Sequence, residues 1–310
     1  MNYETGSSTN RTSKASVVRL PWWQGWIPLL LLPATVFFCF ADNSPPWALM
    51  WLLAGAIFAS CKWLTWRRTP APAAPWWLHA GYLLAWPGMA AEAFLKVSGS
   101  TRQTPCTRTE WLTALAKFLL GLVLYFGLAR QTSPQFLSLR GWTGLVGLIL
   151  LLHFGVFHIL SCAWRSMGIP AHPIMNRPLT TSSLSEFWGR RWNTAFRDLT
   201  NRFLFRPLLP SCGIAGAYFI GFFISGLVHD LVISIPARGG YGGPTVFFLI
   251  QFFSIRFTHS SLGKKLRLKT GWRGWCVAVI SLLAPLGLLF HRPFVFEIIL
   301  PFMKATGAIA

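Results

Sequence analysis

Long apolar runs separated by short polar segments dominate the chain. A membrane-spanning helix needs about 20 mostly apolar residues, and the runs that approach this length are 22–40, 47–64, 111–128, 142–162, 214–235 and 272–290. Residues 76–91, 245–257 and the tail from Phe294 are apolar but interrupted or shorter. Many of the runs begin at or near a tryptophan, which anchors helix ends in the headgroup layer. The pattern predicts an all-α integral membrane protein, a multi-pass helical bundle of about eight spans.

Composition and charge support this class and exclude another. The chain has 310 residues, of which 53% are hydrophobic and 12% charged, and its net charge is +20. Such a charge could indicate nucleic-acid binding, but lysine and arginine lie almost entirely between the apolar runs while the aromatic residues lie within them. The charge therefore describes membrane topology. We expect membrane lipids around the protein and no nucleic-acid partner.

The positive-inside rule predicts which loops are cytoplasmic. If residues 76–91 are re-entrant or interfacial, as Pro87-Gly88 allows, the two most basic loops, 165–206 and 256–273, share the cytoplasmic face. We expect the membrane to be a bacterial inner membrane or an equivalent one. Residues 1–20 are expected to form a disordered cytoplasmic tail, and residues 21–310 a single membrane domain. The six cysteines lack metal-ligand spacing, which indicates packing residues with no metal site and no disulfide framework.

The segment "SLSEFWGRRWN", residues 183–193, predicts a basic amphipathic helix. Ser183 and Glu186 match a capping box, so a helix should begin there. Apolar residues recur at helical spacing as far as Phe203, and two prolines, Pro207 and Pro210, should end the helix. A helix of this kind ordinarily lies in the membrane interface, and an anchor with no other role is one interpretation.

Two polar side chains in apolar surroundings are candidates for chemistry. Asn193 lies beside the apolar stripe at Trp192, and a buried carboxamide needs hydrogen-bond partners. His229 lies about fifteen residues into the run 214–235, about 20 Å from its cytoplasmic end. A titratable group at that depth marks a functional site or a polar cavity, and burial favours the neutral imidazole that a general base requires. A structural histidine hydrogen-bonded between helices is the alternative.

Other polar residues carry weaker signals. Asp230 follows His229 directly, but neighbours on a helix point about 100° apart, so we expect Asp230 to face another helix or the outer end of the cavity. His153 and His158 are five residues apart, which is not the spacing of paired helical ligands, and are expected to be structural or to line the same cavity as His229. The chain contains no GxGxxG, P-loop, HExxH or GxSxG motif.

Together the motifs resemble a known family. "SLSEFWGRRWN" followed about three dozen residues later by "SGLVHDL", with "AWPGM" at 85–89 upstream, is similar to the wax synthase-like branch of the membrane-bound O-acyltransferases (MBOAT). The resemblance covers about residues 85–250. It implies acyl transfer from acyl-CoA to the hydroxyl of a lipophilic alcohol, with His229 as the catalytic histidine and Asn193 as its partner. Some members carry histidine in place of Asn193, and asparagine is closer to the sterol and diacylglycerol acyltransferase pattern, so the acceptor class stays open.

The residues suit this chemistry independently. Acyl transfer from a thioester needs a base for the hydroxyl proton and donors for the oxyanion, which His229 and Asn193 could supply. We expect acyl-CoA as a co-substrate, no permanently bound cofactor and no metal. The basic and aromatic residues of the segment are candidates for binding acyl-CoA: Trp188, Arg190, Arg191, Trp192 and Arg197, with Arg256, Lys264 and Lys265 on the same face. The alternative function is a non-catalytic transporter or lipid-binding protein in which His229 lines a polar pathway.

Overall fold

The structure is a computed structural model that describes residues 25–70, 74–96 and 105–310. Within these ranges all regular secondary structure is helical. The expected tail over residues 1–20 lies outside the described residues, as does the start of the apolar run from Trp22. The all-helical prediction is confirmed for the part of the chain that is described.

Twelve helical segments organise the described residues. They are α1 (Ile27–Phe40), α2 (Pro46–Arg67), α3 (Trp76–Leu84), α4 (Ala91–Leu95), α5 (Arg108–Gln131), α6 (Pro134–Ser166), α7 (184–191), α8 (Thr194–Ala237), α9 (Gly243–His259), α10 (Ser261–Lys265), α11 (Gly271–Leu289) and α12 (294–305). Five of them, α2, α5, α6, α8 and α11, are long and apolar enough to cross a membrane. The chain is therefore a helical membrane protein.

The segment around Pro87-Gly88 is not one helix. α3 has nine residues and is about 14 Å long, which is less than half the hydrocarbon thickness. The chain leaves the helix at Ala85, before Pro87 removes a backbone donor. The non-helical stretch is held by two side chains: Lys62 Nζ donates to the Gly88 carbonyl at 2.7 Å, and Trp164 Nε1 donates to the Ala85 carbonyl at 3.0 Å.

The expected single helix from Ser183 to Phe203 is wrong. The helix that begins after Ser183 ends at Arg191, and a second helix, α8, begins at Thr194. Between them Asn193 has a φ of 40°, in the left-handed region, which breaks the helical path. The Ser183 hydroxyl caps the first helix as expected, accepting from the Glu186 N–H at 3.1 Å.

The prolines do not end the second helix. Wide π-type turns over Asn201–Phe205 precede Pro207. They accommodate a residue that has no N–H to donate to the carbonyl four positions earlier. The break comes after Pro210, at Gly213, where φ is 63° and ψ is 179°. Glycine tolerates this backbone conformation because it has no Cβ. Beyond Gly213 the helix continues through His229 to Ala237.

Close helix packing positions the site. α8 packs along α9, and Gly226 makes the approach possible, because a Cβ there would lie 2.5 Å from Thr245 Cα. α5 packs along α6 in the same way, since a Cβ at Gly121 would lie 2.6 Å from the Leu151 nitrogen. Small residues permit such contacts where no hydrophobic effect drives helices together in lipid.

The expectation that all six cysteines are packing residues is wrong for two of them. Cys106 and Cys162 form a disulfide between the start of α5 and the end of α6, with a Cα–Cα distance of 5.2 Å. They are 56 residues apart in sequence. Antiparallel packing of the two helices brings the two cysteines together. Their spacing along the sequence does not predict that contact.

Candidate active site

A cavity of about 520 Å³ lies between α7, α8 and α9, and both Asn193 and His229 line it. Asn193 reaches the cavity from the junction of α7 and α8. His229 reaches it from within α8, 36 residues further along the chain. α8 can return to the cavity after so long a stretch because it breaks at Gly213. The structure thus brings together the two residues that the sequence singled out.

The histidine presents an acceptor. His229 Nδ1 lies 2.7 Å from the Ser225 carbonyl oxygen, one turn earlier in α8. A carbonyl only accepts, so Nδ1 carries the proton and donates. In the neutral ring the other nitrogen, Nε2, then has a free lone pair. Nε2 makes no hydrogen bond to any described residue.

The asparagine presents a donor. Asn193 Oδ1 accepts from the Phe196 N–H at 3.1 Å and caps the start of α8. Its backbone N–H points at Met175 Sδ, 3.3 Å away. With Oδ1 and the backbone occupied, the side-chain NH2 is the group without a hydrogen bond to the described residues, and it belongs to a residue of the cavity wall.

Aromatic rings form one wall of the cavity. The Phe248 ring of α9 lies 4.6 Å from the His229 ring, and Trp188 contacts both Phe248 and Phe222, at centroid distances of 5.6 and 5.9 Å. Trp192 also lines the cavity and stacks on Phe187 at 5.5 Å. These contacts hold the imidazole against apolar surfaces, and the described part of the chain offers its free nitrogen no hydrogen-bond partner.

Two arginines and a further histidine also line the cavity. Arg197, Arg256 and His259 line it, and Arg197 is held by its ion pair with Asp198 and by a hydrogen bond to the Gly189 carbonyl at 3.0 Å. The sequence did not single out His259, which is the last residue of α9 and belongs to no motif. Its proximity to Ser185, 3.4 Å between Nε2 and Oγ, arises only in the fold.

Two of the arginines expected to bind acyl-CoA do not line the cavity. Arg190 is exposed on α7. Arg191 turns to Glu186, with Nε and Nη2 donating to Oε1 at 2.9 and 2.6 Å, and also donates to Thr180 Oγ1 at 2.7 Å. Hydrogen bonds from the Ser182 backbone and hydroxyl, then from Arg191, lower the pKa of Glu186 to about 2. Arg191 therefore stabilises the start of α7.

Asp230 faces another helix, as expected. Its carboxylate accepts from the Gly242 and Thr245 N–H groups at 2.8 and 3.0 Å, and from the Thr245 and Ser234 hydroxyls at 2.5 and 2.8 Å. The Gly242 and Thr245 N–H groups belong to the N-terminal end of α9, which lacks intrahelical acceptors there. Asp230, the residue after His229, therefore links α8 to the N-terminal end of α9 through hydrogen bonds.

The two other histidines of the apolar runs lie elsewhere. His153 is packed against Phe157, with ring centroids 5.3 Å apart, and its Nδ1 is buried without a hydrogen-bond partner among the described residues. His158 lines a second, separate cavity. Neither residue lines the cavity of Asn193 and His229.

Comparisons with known proteins agree with the resemblance seen in the motifs. Residues 171–250 match the profile of the family described as membrane bound O-acyl transferase family. This stretch contains Asn193, His229 and nearly all of the cavity wall.

Similar curated proteins carry related names. A probable long-chain-alcohol O-fatty-acyltransferase 1 of Arabidopsis thaliana is 26% identical over 136 residues, which cover 41% of this chain and 39% of that protein. A long-chain-alcohol O-fatty-acyltransferase of Simmondsia chinensis is 31% identical over 77 residues, 22% of each chain. An acyl-CoA–sterol O-acyltransferase 1 of Arabidopsis thaliana is 31% identical over 86 residues, 25% of each chain. The matched stretches thus span two fifths or less of these three relatives.

Proposed function

We propose, from the match of residues 171–250 and from the geometry of the cavity, that this protein is an O-acyltransferase that moves an acyl group from acyl-CoA to the hydroxyl of a lipophilic alcohol. The observation that carries the proposal is the shared cavity, which is lined both by a residue with a free imidazole nitrogen and by a residue with a free carboxamide NH2. Acyl-CoA is a co-substrate here and no permanently bound cofactor takes part.

His229 acts as the general base in this mechanism. Its Nε2 takes the proton of the alcohol as the alcohol oxygen attacks the thioester carbonyl carbon, and the carbonyl oxygen becomes an oxyanion. The Asn193 NH2 donates a hydrogen bond to that oxyanion. Collapse of the tetrahedral intermediate breaks the carbon–sulfur bond, and the imidazolium returns its proton to the departing coenzyme A sulfur. The products are the ester, free coenzyme A and the original neutral histidine.

The charged part of the cavity suits the polyanionic end of acyl-CoA. Arg197 and Arg256 can donate charge-assisted hydrogen bonds to its phosphates, and the neutral His259 ring can donate one N–H bond. The aromatic wall of Trp188, Trp192 and Phe248 suits the acyl chain or the apolar acceptor. The names of the relatives support a long-chain alcohol or a sterol as acceptor.

The membrane arrangement completes the proposal. About eight crossings require α1, α9 and α12 to span together with the five longer helices, with 76–91 re-entrant or interfacial. Residues 21–310 then form one MBOAT-like membrane domain after a cytoplasmic tail. The basic loops 165–206 and 256–273 face the cytoplasm, where acyl-CoA is found, in a bacterial inner membrane or an equivalent membrane.

Product formation tests the function directly. The purified protein is incubated in lipid nanodiscs with isotope-labelled acyl-CoA and a panel of fatty alcohols, sterols and diacylglycerol, and labelled esters are identified by mass spectrometry. We expect ester from the wild type and a loss of about 10²-fold or more in His229→Ala. The matched control is His153→Gln, a half-buried histidine in an apolar helix outside the cavity, which should keep near wild-type activity. Equal ester formation by wild type and His229→Ala, or no ester with any acceptor, contradicts the proposal, and the second result favours a transporter or lipid-binding protein.

A further inference from the structure

A second cavity, of about 470 Å³, lies between the first turns of α5, the end of α6 and the loop 172–177. It shares no lining residue with the cavity of Asn193 and His229. Met175 belongs to its wall, and the Met175 sulfur accepts the Asn193 N–H at 3.3 Å. The second cavity therefore lies behind the Asn193 turn, and the proposed acyl transfer does not use it.

The second cavity has an excess of positive charge. Glu110 is its carboxylate, and Glu110 is paired with Arg165. Lys117 and Arg177 also line the cavity, and neither has a carboxylate partner among the described residues. Lys117 from α5 and Arg177 from the loop 172–177 thus bring two like charges to the same cavity. Two cations without an ion-pair partner among the described residues, in a cavity whose one carboxylate is already paired with Arg165, favour an anion there.

The position of the cavity suits a lipid headgroup. α5 begins at Arg108, and Trp111 in its first turn is typical of the membrane interface. Lys117 lies nine residues after Arg108, about 14 Å along the helix. On the neighbouring face of α5, Leu112 and Leu115 are exposed, with 66% and 46% of their surface accessible. An amphiphile can therefore lay its chains on this face and turn its headgroup into the polar space.

The cavity also contains uncharged hydrogen-bonding groups. Thr109 and Thr113 lie on the same side of α5 as Lys117, since the spacing of four residues repeats along one helix face. The Thr113 hydroxyl donates to the Thr109 carbonyl at 2.7 Å, and its oxygen remains able to accept. Hydroxyl groups beside cations match the combination of phosphate and glycerol oxygens in a phospholipid.

We propose that the second cavity binds the phosphate headgroup of an anionic membrane phospholipid, with Lys117 and Arg177 as the phosphate ligands. Glu110 stays paired with Arg165, so Lys117 and Arg177 are left to contact the phosphate. The lipid braces α5 and the loop 172–177, and through Met175 it supports the turn that carries Asn193. The ligands and the wall of this site are separate from those of the proposed reaction.

Lipid binding can be measured without any enzymatic readout. The protein in neutral detergent is titrated with phosphatidylglycerol or with phosphatidylcholine of identical acyl chains, and bound lipid is quantified by native mass spectrometry. We expect phosphatidylglycerol to bind about tenfold more tightly than phosphatidylcholine, and Lys117→Gln/Arg177→Gln to lose this preference. The matched control, Arg130→Gln/Lys304→Gln, removes the same charge at two exposed positions outside both cavities and should keep the preference.

Three further arms keep the result interpretable. The single variant Arg177→Gln, at an exposed loop position, should weaken phosphatidylglycerol binding if the double variant does not fold, and Lys117→Arg should retain it because the charge stays. Free coenzyme A and inorganic phosphate at large molar excess should not displace the bound lipid. Equal phosphatidylglycerol binding by wild type and Lys117→Gln/Arg177→Gln overturns the proposal. Equal binding of the two lipids by the wild type also overturns it. Displacement of the lipid by coenzyme A overturns it as well, and would identify the acyl donor as the source of the phosphate.

Discussion

The Nδ1–H of His229 donates to the carbonyl oxygen of Ser225, 2.7 Å away and one helical turn earlier. This bond fixes the tautomer of a neutral ring and leaves Nε2 as a proton acceptor on the wall of the cavity. The same helix therefore supplies both the proposed base and the group that orients it.

His229→Asn tests the roles of the two ring nitrogens, Nδ1 and Nε2, separately. Asparagine can keep a donor near the position of Nδ1 and thus the bond to the Ser225 carbonyl, but it has nothing at the position of Nε2. We expect ester formation to fall by about 10²–10⁴-fold, the usual contribution of general acid–base catalysis, while the melting temperature stays close to that of the wild type. Labelled-ester assays and thermal unfolding in the same detergent measure both quantities. A variant that keeps its activity would show that Nε2 is not the base.

Asn193→Asp tests the carboxamide donor without removing the helix cap. An aspartate oxygen still accepts from the Phe196 N–H, and its charge is favourable at the N-terminus of α8. The NH2 donor is lost, so we expect kcat to fall by about 10²-fold while the melting temperature is unchanged or higher. Asn193→Ala loses the cap as well and should be less stable by about 1 kcal/mol. If Asn193→Asp and Asn193→Ala have the same activity as wild type, Asn193 is a cap alone.

Asp230→Ala should act on stability. Its carboxylate satisfies four donors, including the N–H groups of Gly242 and Thr245 at the start of α9. Removal of the acceptor leaves those donors unpaired, which costs about 1–3 kcal/mol for each one that stays buried. We expect a clear drop in melting temperature, and in the remaining folded fraction a pH profile of activity with the wild-type shape. A shifted pH profile would instead make Asp230 a proton-relay partner of His229.

Acid should weaken the start of α7. Folding lowers the pKa of Glu186 from 4.5 to about 2, so the unfolded chain binds the proton more readily. The stabilisation is therefore fully present above about pH 4.5 and is lost as the pH falls to about 2. Because the Glu186 side chain is partly exposed to solvent, we expect a modest effect. Thermal unfolding of wild type and Glu186→Gln should differ at pH 6 and converge near pH 2, and a difference that does not change with pH would contradict this.

The disulfide gives an independent check of how α5 and α6 pack. Cys106 and Cys162 should resist alkylation in the unfolded, unreduced protein, whereas the exposed Cys39 and Cys212 should react. Peptide mass spectrometry before and after reduction distinguishes the two groups. Alkylation of Cys106 without reduction would show that the two thiols are free.

The sequence by itself determined what local chemistry and hydrophobic length control. Apolar runs of about 20 residues predict membrane helices, and Ser183 with Glu186 predicts the start of α7, because these signals act between near neighbours. The motif residues Asn193 and His229 could also be singled out, since an isolated polar side chain in an apolar run needs a reason to be there.

Only the tertiary structure decided which of these groups meet. The left-handed turn at Asn193 and the break at Gly213 fold one stretch of chain back on itself, so residues 36 positions apart share a cavity. The pairing of Cys106 with Cys162 and the capping of α9 by Asp230 depend in the same way on contacts between helices. Such contacts are set by how whole helices pack, for which the order of residues along one segment carries no local signal.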